Sequence, residues 1–142
     1  MKAVILAAGN GMRLRPVTKD IQKCLLPVGG KPMLEWWLNA VFALGIFNEV
    51  AVNVHWMADE VKAWLANYCE KKDVKIRIID ESSKLLGTAG TLFWHADDQE
   101  DFMAAYADTF SEDVFSDLPS IVEKWMEMPD EAVAGLLSFD HP

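Results

Sequence analysis

The chain has 142 residues, room for one domain with an ordinary hydrophobic core. Apolar residues make up 51% and charged residues 25%, and no apolar run nears the roughly 18–20 residues of a membrane span. A net charge of −9 and a cysteine set limited to Cys24 and Cys69 exclude wholesale nucleic-acid binding, a disulfide scaffold and a cysteine-based zinc site. A cytoplasmic address and no membrane partner are expected.

Lys2 before a short apolar run has one feature of a signal peptide, but the run is too short and Gly9, Asn10 and Arg13 follow at once. Residues 4–7 are predicted as a continuous apolar strand buried on both faces. Apolar residues then recur at helical spacing over residues 33–44, with Gly45 as the stop. Residues 50–54 read as a second strand. Residues 57–68 read as an amphipathic helix with Val61, Trp64, Leu65 and Tyr68 on one side. A third strand is predicted at 74–79, a short helix at 88–96 and a fourth strand at 102–106. A helix at 118–128 and a fifth strand at 132–139 complete the pattern.

Alternation of strand and helix implies βαβ units. The expected fold is α/β: a mainly parallel open sheet with helices on both faces. In such sheets ligands bind beyond the carboxyl ends of the strands. The places to search are residue 8 onward, residues 53–55, residues 80–90 and Asp108.

Charge is concentrated at the first of these. Between Ala8 and Leu34 stand Arg13, Arg15, Lys19, Lys23 and Lys31 against Asp20 alone. That segment carries +4 and the remainder −13, a distribution suited to a small anionic ligand. Within it, Gly9 and Gly11 directly after the strand allow a tight turn that presents backbone N–H groups to an anion. Arg13 can grip phosphate oxygens in a bidentate fork. A Walker loop is absent, because no Gly-Lys-Ser/Thr follows. A dinucleotide fingerprint fails too: Leu14 replaces its third small residue, and Asn53 and His55 stand where an acidic ribose ligand belongs. Binding of a nicotinamide cofactor is therefore not expected.

The run from Leu6 through Gly9, Gly11, Arg13 and Arg15 to Pro16 is followed by Lys23-Cys24-Leu25-Leu26-Pro27-Val28 and by Lys31-Pro32-Met33-Leu34. Together these closely resemble the signature of sugar-1-phosphate nucleotidyltransferases, most strongly over residues 2–34. The resemblance implies a Rossmann-like, glycosyltransferase-A-type nucleotide-binding fold. It also implies that the enzyme's partners are a nucleoside triphosphate and a sugar 1-phosphate, which yield an NDP-sugar and pyrophosphate. By that resemblance Leu6, Ala8, Gly9 and Gly11 would cradle base and phosphates. Arg13 and Lys23 would be the catalytic cations, Arg13 on the leaving pyrophosphate and Lys23 beside the α-phosphate. Taken alone, Lys23 would pass for a solvated surface lysine.

The Leu86-Gly87-Thr88-Ala89-Gly90 block resembles the family's base-contacting element, with Gly87, Thr88 and Gly90 as nucleotide-binding residues. Its wording is closest to mannose- or heptose-type guanylyltransferases. Without the resemblance it is a helix N-terminus capped by Thr88. Asp108, at the end of the fourth strand, matches the acid that binds catalytic Mg²⁺ in the family. Without it, Asp108 would be a turn or cap residue. His55, His95 and the tryptophans are expected to be structural.

Four departures stand out: Met12 for a small hydroxyl residue, Gln22 and Leu85 for prolines, and Ala107 for glycine. Gln22 is expected to leave the Lys23 loop less rigid. Relatives of this kind continue well past residue 142, so the chain is expected to be a truncated nucleotide-binding subdomain without the sugar-binding part. It would be prone to self-association as a homo-oligomer through exposed apolar surface. A catalytically inactive nucleotide-binding or regulatory module is the alternative.

Overall fold

The computed structural model describes residues 1–95, 101–110 and 112–129. The chain divides into two units, Met1–Phe110 and Ser111–Pro142. In the first, strand β1 (Lys2–Leu6) leads through two 3-10 turns, Met12–Leu14 and Lys23–Leu25, into a small antiparallel hairpin of β2 (Pro27–Val28) and β3 (Lys31–Pro32). Helix α1 (Met33–Leu44), strand β4 (Glu49–Val54), helix α2 (Ala58–Lys72), strand β5 (Arg77–Asp80), helix α3 (Gly87–His95) and strand β6 (Phe102–Tyr106) follow.

Among the described residues these strands form a sheet in the order β5-β4-β1-β6, and every neighbouring pair is parallel. Leu6 stands opposite Asn53 on one side and Tyr106 on the other. Right-handed crossovers put α1 and α2 on one face and α3, whose connection runs back across the sheet, on the other. The pleat agrees. Val4, Leu6, Ala51 and Ile79 form a buried cluster on one face, with Leu92 of α3 packed against it. The alternate residues Ala3, Ile5, Val50, Val52 and Val54 are buried too, as are Leu34, Leu38 and Val41 of α1 and Val61 and Leu65 of α2.

Helix α1 matches the predicted span and ends at Gly45 in a left-handed conformation. Helix α2 runs past the predicted end at Tyr68, because Cys69 to Lys72 continue the helix without a breaker. Asp73 then turns left-handed, and the Val74 N–H bonds Cys69 O at 3.2 Å. This turn uses up the start of the predicted third strand, so β5 begins only at Arg77. The predicted fifth strand at 132–139 and residue 96 lie outside the described residues.

The second unit contributes helix α4 (Glu112–Met126), which starts six residues before the predicted Leu118 and carries Pro119 inside it. Val114, Leu118 and Val122, all buried, recur every four residues along it. That stripe sustains helix across a proline that supplies no N–H for its own rung. In the first unit, Leu38→Ala removes a side chain with 0% exposure. It should lower stability by roughly 2–5 kcal/mol in urea unfolding.

Candidate functional site

The carboxyl ends of β1, β4, β5 and β6 open on one edge of the sheet. The order in which strands are added reverses between β1 and β6, the crevice where open parallel sheets bind ligands. Asn53, a buried polar residue among the valines and alanine of β4, ties this edge together. Its Oδ1 accepts the Ala7 and Ala8 N–H groups at 2.6 and 3.2 Å. Its Nδ2 donates to Glu81 Oε1 at 3.0 Å and Thr91 Oγ1 at 3.2 Å. All four hydrogen-bonding positions of the amide are thus used.

Glu81 is only 2% exposed. Its Oε1 also accepts from the Thr91 hydroxyl at 2.5 Å, and its Oε2 accepts the Leu86 N–H at 3.0 Å. The backbone of Glu81 is held as well: its N–H donates to Val54 O at 2.8 Å, and its carbonyl accepts from His55 Nδ1 at 2.7 Å. The carbonyl partner fixes that imidazole with its proton on Nδ1. His55 is structural, as expected.

After β1 the glycine loop begins. Gly11 has φ 61°, and a Cβ there would come within 3.1 Å of Thr18, whose hydroxyl donates to Gly11 O at 2.7 Å. Both the turn and the close approach require glycine. Gln22 overturns the expectation of a looser loop. Its side chain is buried, and Nε2 donates to Ala7 O at 2.7 Å and Gly9 O at 2.9 Å. Its Oε1 accepts the Cys24 N–H at 2.5 Å. The stiffness a proline would bring through its ring is supplied here by three hydrogen bonds of a buried side chain. The backbone N–H groups of Gly9, Asn10 and Gly11 have no partner among the described residues. Arg13, exposed on the Met12–Leu14 turn, has none there either.

Lys23 opens the second 3-10 turn, over the buried Cys24, whose thiol is pushed up to about 12 chiefly by desolvation. Its Nζ lies 2.5 Å from Asp108 Oδ2, a pair separated by 85 positions in the chain. Just before Asp108, the Ala107 N–H donates to Leu6 O at 3.0 Å and prolongs the β1–β6 ladder. Just after it, Trp37 Nε1 of α1 donates to Thr109 O at 2.9 Å. Asp108 is therefore anchored on both sides. The ion pair itself is partly solvated, with the two side chains 24% and 38% exposed, so it contributes about 0–1 kcal/mol and parts easily.

The second block lies at the start of α3. Gly87 takes φ 72°, and Thr88, exposed, sits inside the first turn rather than capping it. The Tyr106 hydroxyl donates to Thr88 Oγ1 at 3.4 Å, joining this turn to the end of β6. A Cβ on Gly90 would meet Leu86 at 3.0 Å.

The fold links many of the sequence-predicted residues in one chain of contacts and leaves Arg13 outside it. Ala7 and Gly9 connect through Gln22 to the Lys23 turn, and Lys23 connects to Asp108. Ala8 also connects through Asn53 and Glu81 to the segment entering Gly87. The Leu6 side chain belongs to the core cluster, and only its main chain reaches the site. Asn53 and Glu81 lie in stretches the sequence marks for search and Gln22 stands out as a lost proline, but their supporting roles, and that of Thr91, are not visible in the sequence. The one available signal was polarity at a position the pattern requires to be buried. Asn53→Ala orphans two backbone donors and removes one of the three hydrogen bonds to the Glu81 carboxylate. It should cost more than the roughly 1–3 kcal/mol of a single unsatisfied buried group, measured by guanidinium unfolding.

The chain is 37% identical over 119 residues to a glucose-1-phosphate thymidylyltransferase of Streptomyces griseus, covering 82% of this chain and 33% of that protein. It is 33% identical over 123 residues to a probable mannose-1-phosphate guanylyltransferase of Oryza sativa subsp. japonica, covering 83% and 34%. The solved CTP:phosphocholine cytidylyltransferase of Streptococcus pneumoniae superposes with a TM-score of 0.59 at 28% identity, over 75% of this chain and 44% of that one. The chain therefore spans less than half the length of each of these proteins. The family model described as nucleotidyl transferase matches residues 2–137, nearly the whole sequence, and the chain belongs to that family.

Proposed function

We propose that this chain is the triphosphate-binding subdomain of a Mg²⁺-dependent sugar-1-phosphate nucleotidyltransferase. The observation that carries the proposal is the meeting of Lys23 and Asp108 at the β1–β6 crevice, beside a glycine loop with unpaired N–H groups. In this reaction an oxygen of the sugar phosphate attacks the α-phosphorus of the triphosphate. The bond to the β-phosphate bridging oxygen breaks, and pyrophosphate leaves with the electron pair. Several negative charges converge, so fixed cations and oriented N–H dipoles lower the barrier more than proton transfer does.

The residues divide that work. The N–H groups of Gly9, Asn10 and Gly11 bind phosphate oxygens. Arg13, free of protein partners in the described structure, takes the β- and γ-phosphates and stabilises the charge of the leaving group. Lys23 exchanges Asp108 for the α-phosphate and the incoming sugar phosphate. The segment Gly87–Gly90 offers a flat approach and helix N–H groups to the base. Its Gly-Thr-Ala-Gly wording supports a guanylyl preference and a mannose- or heptose-type acceptor.

The donor set suits magnesium. Among the described residues no cluster of three His, Cys, Asp or Glu side chains is present, and Asp108 stands as a single carboxylate at the crevice. Magnesium is commonly held by one or two carboxylates with phosphate oxygens and water completing the shell. When bound by Asp108 it would supply charge neutralisation between the nucleotide and sugar phosphates.

Calorimetric titration of the four nucleoside triphosphates with Mg²⁺ tests the site and assigns the base. Formation of NDP-sugar by the intact protein tests the reaction. Binding without turnover would assign a nucleotide-binding module instead. Arg13→Ala should lower kcat/KM by about 10²–10³, the usual effect of removing one charge-stabilising donor, and leave the unfolding midpoint unchanged. Equal turnover of Arg13→Ala and wild type would refute the role of Arg13.

A further inference from the structure

Gln22 is one of the largest fully buried side chains in the chain, at 1% exposure, and it is polar. Such a group persists only when its hydrogen bonds are made, and here they bridge two segments. Two donor hydrogens on Nε2 serve the Ala7 and Gly9 carbonyls, both in the glycine loop. The acceptor Oε1 serves the Cys24 N–H, on the far side of Lys23. Lys23 thus sits between the residue that grips the loop and the amide that the same residue grips. The three backbone groups involved have no other partner among the described residues, so the carboxamide alone satisfies them.

We propose that Gln22 is a positioning residue for nucleotidyl transfer, holding the Lys23 turn in register with the glycine loop through its buried carboxamide. The proposal rests on the function proposed above. Lys23 pairs with Asp108 weakly, so that pair cannot place the ammonium. The buried amide can. It sets where the lysine backbone starts relative to the N–H groups that hold the phosphates. A displacement near 1 Å at such a point slows chemistry by about 10²-fold without weakening substrate binding to match. Gln22 touches no substrate in this scheme and acts only through Lys23.

That dependence makes a double-mutant cycle decisive. Steady-state kinetics of the intact protein are measured with Mg²⁺, its preferred nucleoside triphosphate and sugar 1-phosphate for wild type, Gln22→Met, Gln22→Glu, Lys23→Ala and the double variant Gln22→Met/Lys23→Ala. Gln22→Met keeps the length and removes every hydrogen bond. Gln22→Glu keeps the acceptor for Cys24 and loses both donors. Circular dichroism confirms the fold of each below its unfolding midpoint, and Gln22→Asn replaces any variant that does not fold. Gln22→Met should lower kcat by about 10–100-fold with KM for the triphosphate little changed, and Gln22→Glu should fall between it and wild type. In the Lys23→Ala background, Gln22→Met should change kcat by no more than about twofold. Losses that multiply in the double variant, or a Gln22→Met enzyme with wild-type kcat, would overturn the proposal alone. A wild type without turnover would overturn the functional reading and this proposal with it.

Discussion

The carboxamide of Asn53 is the interaction on which the ligand-facing edge depends. A parallel sheet ends in a row of strand termini whose loops have no reason of their own to stay together. Asn53 sits next to the end of β4, an interior strand, is buried, and spends both of its acceptor positions on the loop leaving β1. It spends its donors on Glu81 and Thr91, one just past β5 and one in α3. In low dielectric such bonds are strong and their absence is costly, so the four segments behave as one body. The buried carboxylate of Glu81 extends the same logic to Leu86, the residue that leads into the helix.

Against this frame the charged groups stand at the surface. Arg13 stands exposed, and the Lys23–Asp108 pair is partly solvated. The contrast follows from what each set must do. Neutral amides can be buried and kept fixed because their partners are permanent backbone groups. Cations and acids that serve a ligand must stay hydrated and loosely paired until that ligand arrives, since desolvating an ion without its final partner is expensive. The chain keeps its dipoles and the hydrogen-bonded Glu81 carboxylate inside, and Arg13, Lys23 and Asp108 at the rim. Preorganised N–H groups and displaceable ion pairs then lie within one crevice.

Much of this was legible in the residues. Helix α1 and strand β6 match their predicted spans because each has a clean period and a clear stop, Gly45 for the one and a strand-length run for the other. The parallel order followed from alternation, and the glycine loop, Lys23 and Asp108 from spacing and resemblance. Where prediction and structure part, a competing force can be named. Strand β5 starts late because the left-handed Asp73 consumes the residues before it. Helix α4 starts early because its four-residue apolar spacing outweighs Pro119. The site's supporting residues were the least visible. Gln22 looked like a lost proline, and Asn53 like a missing acid, because a sequence shows which atoms a side chain has and not which backbone groups, dozens of residues away, will need them.

The buried thiol beneath the Lys23 turn has a practical consequence. Thiolate is the reactive form of cysteine, and at neutral pH a group pushed up to about 12 supplies almost none of it. Alkylating reagents and peroxide should therefore react slowly with Cys24 for as long as it stays buried. Its labelling rate, read by mass spectrometry without any substrate, then reports how often the protein opens enough to expose that thiol.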